Sequence, residues 1–145
     1  MQSLTFNPGR AFLVSDSPTV PWTVVFEDEG VAAYFYACDR SQTTQQERIL
    51  DAMLVYNVSA LAASDAKLHR PTRERIAAIE WSRDGLQAVL YLDGAAQALF
   101  DFAARLGHCR MDFPNFLAER DDTWRKHTHA WSDAALAQFE SALYA

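Results

Sequence analysis

Cysteine is scarce in this 145-residue chain. Cys38 and Cys109 are too few for a disulfide framework and lack the paired spacing of a zinc site, which points to a reducing compartment and a cytoplasmic protein. Basic residues are in the minority. Thirteen Lys and Arg stand against 19 Asp and Glu, for a net charge of −6, a balance that repels phosphate backbones and argues against nucleic acid as a partner. Long apolar runs are missing as well. The N-terminal region offers only Ala11 to Val14 among polar residues and prolines, which reads as neither a signal peptide nor a membrane span. The sequence has no Gly-rich phosphate loop, no serine nucleophile elbow and no zincin helix, and it shows no repeat or composition shift that would divide it.

What is present suits a globular protein. Half of the residues are apolar and 12% are aromatic, a load that disordered chains do not carry. A chain of this length buries roughly 70% of the surface it exposes when unfolded, so residues 1–145 are expected to form a single domain without metal or disulfide.

The most legible stretch runs from Ile76 to Phe102. Two alternating runs meet at Asp84-Gly85, a dipeptide that supplies the positive φ angles of a tight type I′ turn. With Arg83 opposite Leu86, Trp81 faces Ala88 and Ile79 faces Leu90. This register puts Ile79, Trp81, Ala88, Leu90 and Leu92 on one apolar face, with Glu80, Ser82, Gln87, Val89 and Tyr91 on a mixed one. A second hairpin pairs Val20 to Glu27 with Val31 to Cys38 across Asp28-Glu29-Gly30, the tip reading as a solvated turn. Before it, a Pro8-Gly9 turn precedes an edge-strand candidate at Ala11 to Val14.

Elsewhere two readings compete. Thr44 and Glu47 could box a helix start, while alternation from Asp51 to Val58 favours a strand; the combination predicts a short helical turn and then a strand. In AAQALFDFAARLG, alanine content and Gly107 suggest a glycine-capped helix, and the alternation of Ala98, Phe100 and Phe102 suggests a strand. Residues 107–131 look irregular. Beyond them, Ser132 is placed to cap a helix from Asp133 to about Leu143, with Trp131 and Leu136 as a hydrophobic staple and Leu136, Phe139 and Leu143 as a stripe that packs on the sheet.

The segments VVFEDEGVAAYFYACD, ILDAMLVYNV, IEWSRDGLQAVLYLDG, ALFDF and the GHCRMDFP to AWSD tail together resemble a family of small bacterial proteins known only as a domain of unknown function. The resemblance runs over nearly the whole chain. It implies a β-rich, single-domain bacterial protein and a strand through Phe102, and it supplies no activity, cofactor or catalytic residue. The resulting expectation is an α+β fold: a curled antiparallel β-meander of about six or seven strands with the C-terminal helix packed on one face.

Candidate chemistry is sparse. His127 and His129 flank Thr128 at a spacing used by some metal sites, with His108, Asp121 or Asp122 to complete the set, yet two histidines in a polar loop are more often surface residues. His108-Cys109 are neighbours that point apart, so a packed structural cysteine is the simpler reading. Asp51 and Asp101 lie within apolar stretches and call for a partner, for which Arg110 or Arg125 could serve. The four tryptophans, Trp124 among them, read as core residues, or as a partner surface if several are exposed together. No cofactor is implied. The functional expectation is a non-enzymatic interaction protein, inhibitor-like or immunity-like, with a protein partner and room for a homodimer through an exposed sheet edge. The alternative is a small-molecule-binding protein or hydrolase-like enzyme with a pocket between sheet and C-terminal segment, built from Asp101, Arg110, Trp124, His127 and His129.

Overall fold

The computed structural model describes residues 1–44, 48–57, 74–111, 124 and 129–143. In chain order the described elements are β1 Gln2–Phe6, β2 Ala11–Asp16, β3 Trp22–Asp28, β4 Ala32–Asp39, β5 Ile49–Asn57, β6 Arg75–Trp81, β7 Gln87–Leu92, β8 Ala95–Asp101, β9 Leu106–Cys109 and a helix, α1, Asp133–Leu143. The strands form two antiparallel sheets, ordered β2-β3-β4-β5 and β1-β6-β7-β8-β9. The expectation of a single curled meander is therefore corrected to two sheets. Each sheet has one largely apolar face, and stacking the two faces buries both at once, Ser15, Asp28 and Asp51 being the buried polar residues on the four-stranded side.

Rings from the two sheets meet across the core. Phe35 stacks on Phe100 at 5.0 Å, Trp22 on Phe102 at 5.4 Å, and Phe6 tilts against Phe26 at 5.5 Å. Ile79, Ala88 and Leu90 line the same interior, so the apolar face of the β6/β7 hairpin is covered by the other sheet. α1 covers the mixed outer face instead. Its Phe139 is buried among Val89, Ala96 and Leu99, with Tyr91, Trp131, Leu136 and Leu143 around it. The cap forms as its residues suggest: Ser132 Oγ accepts the Ala135 N–H at 3.0 Å.

The β6/β7 register agrees with the sequence reading, with Trp81 opposite Ala88 and Ile79 opposite Leu90. The turn differs. Only Gly85 has a positive φ, 74°. The Gly85 N–H bonds Ser82 O and the Ser82 N–H bonds Gln87 O, each at 2.9 Å, so the loop spans four residues, Arg83 to Leu86. The Asp84 carboxylate holds it open by accepting the Ser82 hydroxyl at 2.6 Å and the Leu86 N–H at 3.0 Å. Loops of two and four residues leave the same register, which is why the faces are unaffected. The two-residue turn occurs at Asp93-Gly94, with φ of 52° and 83°, joining Leu92 to its direct partner Ala95.

Residues 95–101 are strand, as the resemblance implies, because β7 offers a hydrogen-bonding ladder and Phe100 a core position. Gly107 lies in β9, which the sequence did not reveal. A Cβ there would sit 2.8 Å from Met53 Sδ and 3.0 Å from the Phe100 ring, so the glycine permits β9 to close on the core. β1 was equally unmarked, since only Leu4 and Phe6 of its five residues pack inward. Ahead of β5, the Arg48 N–H bonds Thr44 O at 3.1 Å; the helical turn expected there falls on residues 45–47, outside the described range.

Candidate functional site on the open face of the four-stranded sheet

The described residues among those singled out in the sequence each have partners of their own. Asp101 closes β8, where its carboxylate accepts the Gln87 amide at 3.0 Å and the Ala104 N–H at 2.9 Å, the work of a turn organiser. Arg110 lies past the other end of the β8/β9 pair. Its Nε donates to Ala96 O at 2.6 Å and its guanidinium sits 4.1 Å above the Trp131 ring. Trp124 is a core residue, edge-on to Phe100 and Phe102 at 5.9 and 5.2 Å. His108 Nδ1 lies 2.8 Å from Ala130 O and must be the protonated nitrogen, since a carbonyl only accepts. His127, Asp121, Asp122 and Arg125 lie outside the described residues. Among the described residues, no group of three or more His, Cys, Asp or Glu side chains is placed to hold a metal ion.

Two acids are placed otherwise than expected. The partner of Asp51 is His129, not an arginine: Nε2 stands 2.9 Å from Oδ2, and the side chains are 0% and 2% exposed. Asp28, expected to be solvated at the hairpin tip, is 2% exposed. Its carboxylate accepts the N–H groups of Gly9 at 2.8 Å and Gly30 at 3.1 Å together with the Tyr56 hydroxyl. Burial first, and then the Asp28 carboxylate, raise the Tyr56 pKa far above that of an ordinary phenol. The Arg75 guanidinium lies 5.3 Å over the Tyr56 ring and donates to Asp93 at 2.9 Å. With three donors on Asp28, this network is a tie between loops rather than a reactive centre.

Among the described residues, the outer face of β2-β3-β4-β5 is the candidate surface. Phe12 and Val14 project from β2, Val25 and Glu27 from β3, and Tyr36 and Cys38 from β4. With Ile49 and the segment that carries Asp39, Arg40 and Arg48, they bound a concavity of about 810 Å³. Its floor is apolar and its rim charged. Phe12 is 62% and Val14 50% exposed. Tyr34 stacks on Tyr36 at 6.0 Å and the Tyr36 hydroxyl donates to Glu27 at 3.0 Å. At the rim Arg40 pairs with Asp16 at 3.4 Å.

Two ionisable side chains of this face are held neutral. Burial pushes the Cys38 thiol up to about 11 against the opposing pull of the Arg48 charge, so it stays protonated at neutral pH. Burial, reinforced by the hydrogen bond to Glu27, likewise holds the Tyr36 phenol neutral. Neither supplies an ionised nucleophile. The face was legible in part: Val25 beside Val24 and Phe26, and Tyr34 and Tyr36 beside Phe35, mark strands that are apolar on both sides and therefore ask to be covered twice.

Comparison with known proteins places the chain among bacterial sequences. The model of a family described as "Uncharacterized protein conserved in bacteria (DUF2251)" matches residues 6–140. A protein of Haemophilus influenzae, itself described as "Uncharacterized protein", is 32% identical over 114 residues, covering 76% of this chain. The chain spans 65% of that relative's own length. No solved structure matches.

Proposed function

Because the chain belongs to that bacterial family, whose description assigns no activity, we propose from geometry that it is a non-enzymatic interaction protein, inhibitor-like or immunity-like, that docks a protein partner on the open face of β2-β3-β4-β5. One observation carries the reading: among the described residues nothing packs over an apolar, ring-bearing concavity of about 810 Å³ on one sheet, while α1 covers part of the matching face of the other. Its rim carries Asp16, Glu27 and Asp39 against Arg40 and Arg48, and the whole chain is at −6, so the complementary partner surface is an apolar knob set among basic residues. Two free cysteines support a cytoplasmic setting. Among the described residues no helix is long and apolar enough to cross a membrane.

The rival reading is a small-molecule site, and the size of the concavity favours it, since ligand pockets run to roughly 300–1,000 Å³. It would occupy this face and not the space under α1, where Phe139 fills the contact with Val89 and Leu99. Capture from the native host by chemical cross-linking separates the two. A protein captured by wild type and by Gln138→Lys on exposed α1, but lost with Val25→Lys on the concavity floor, supports docking. Equal capture by both variants, or none with wild type, removes the protein-partner reading.

A further inference from the structure

We propose that the protein forms a two-fold dimer by pairing β2 with β2 of a second copy, antiparallel and centred on Leu13, so that two four-stranded sheets become one of eight strands. Among the described residues, β2 is the outer strand of its sheet. Its alternation is strict, with Ala11, Leu13 and Ser15 buried and Phe12, Val14 and Asp16 exposed. Where the β2/β3 ladder runs on, the Ser17 N–H bonds Trp22 O, so the odd-numbered residues spend their backbone groups on β3. The backbone groups of Phe12, Val14 and Asp16 therefore point to the free edge. The Val14 carbonyl confirms that direction, since it accepts the Gln2 side-chain amide at 2.8 Å. This is the one hydrogen bond described between β1 and β2, and β1 itself pairs with β6. This edge of six residues bears two exposed apolar side chains and neither lysine nor proline, so its guards against strand addition are reduced to the Asp16 charge and the Gln2 amide.

The sequence of this edge is complementary to itself in one register. Opposite strands must share faces, so the two-fold axis has to pass through a residue and not between two. Centring it on Leu13 sets Phe12 against Val14 of the second copy, in a hydrogen-bonded pair, and sets Arg10 against Asp16, each match occurring twice. Phe12 and Val14 contribute an aromatic to β-branched cross-strand contact, and Arg10 and Asp16 an opposite-charge one. Arg10 is exposed and has no ion-pair partner among the described residues. Centring on Val14 would instead place Phe12 beside Asp16. The cost is small, because the Val14 carbonyl exchanges the Gln2 amide for a backbone N–H and Arg10 joins Arg40 and the Thr23 hydroxyl on the Asp16 carboxylate. Phe12, Val14 and Asp16 also line the concavity proposed for a protein partner, but the inference rests on the backbone edge of β2, and Val25→Lys, which should abolish partner capture and leave the dimer, separates the two.

Sedimentation velocity over a concentration series should show a species of twice 16.3 kDa. Arg10→Asp and Asp16→Arg should each weaken it and the double variant should restore it, while Gln2→Ala should strengthen it. Pairing is then read directly in a Cys38→Ser background. In the dimer, residue 12 lies about 5.5 Å from residue 14 of the other copy, within disulfide reach. Mild oxidation should therefore cross-link a mixture of Phe12→Cys and Val14→Cys proteins and neither protein alone. A monomer at every concentration, a dimer indifferent to both charge reversals, or cross-linking by each variant alone as readily as by the mixture would overturn the proposal.

Discussion

His129 Nε2 lies 2.9 Å from Asp51 Oδ2 at a position closed to solvent, joining the segment before α1 to the inner side of β5. The second Asp51 oxygen accepts the Ala52 N–H at 2.9 Å, and the His129 carbonyl accepts the Cys109 N–H at 2.8 Å. Removing either ring or carboxylate strands the other in the interior. His129→Ala and Asp51→Ala should each cost about 3 to 5 kcal/mol in urea unfolding. The double variant should cost clearly less than the two together. Additive losses would show that the pair is not coupled.

Stability should fall on the alkaline side. The folded state holds the protons of Cys38, Tyr36 and Tyr56 more tightly than the unfolded chain does, with Cys38 pushed up to about 11 and both phenols raised by burial. Their contribution is complete below the unfolded values, about 8.5 for thiol and 10 for phenol, and is lost as pH rises through the folded ones. Equilibrium unfolding at a series of alkaline pH values should show the midpoint dropping. Tyr36 and Tyr56 should resist ionisation, by tyrosinate absorbance, until the protein unfolds.

Gly85 and Gly94 provide a matched pair. Both have positive φ, 74° and 83°, but a Cβ on Gly85 would meet Thr19 Oγ1 at 2.1 Å and Ser17 Oγ at 2.4 Å, while one on Gly94 meets open space. Those hydroxyls seat the loop by donating to Asp84 O and Gly85 O at 2.7 and 2.8 Å. Gly94→Ala should cost about 1 to 2 kcal/mol for backbone strain alone. Gly85→Ala should cost about 2 to 4 kcal/mol. Equal losses in thermal unfolding would mean that the contact between loops contributes nothing.

Phe139 is the anchor of α1. Phe139→Ala should cost about 3 to 5 kcal/mol. Hydrogen exchange should quicken in α1 more than in β3 and β4, which pack in the other sheet; uniform quickening would place the helix in the same cooperative unit as the core.

Local order was readable where local chemistry decides it. The β6/β7 register follows from alternation, and the start of α1 follows from Ser132 and Trp131. The stacking of two sheets was not readable, because Phe35 and Phe100, or Trp22 and Phe102, carry no mark that they will meet. Asp28 looked solvated for the same reason: its donors, Gly9 and Tyr56, lie 19 and 28 residues away. Asp51 and His129 were each suspected, but the sequence could not pair residues 78 positions apart. β9 escaped notice because Gly107 reads locally as a helix stop and only the closeness of Met53 and Phe100 gives it another purpose.

The Asp28 carboxylate has a kinetic side. It draws the β1/β2 turn, the β3/β4 turn and the end of β5 onto one group, so a displacement of that carboxylate releases all three at once. Loops at the end of a sandwich normally open independently and quickly; here the amides of Gly9 and Gly30 share a single opening event with the phenol of Tyr56, and that end of the molecule breathes as a unit.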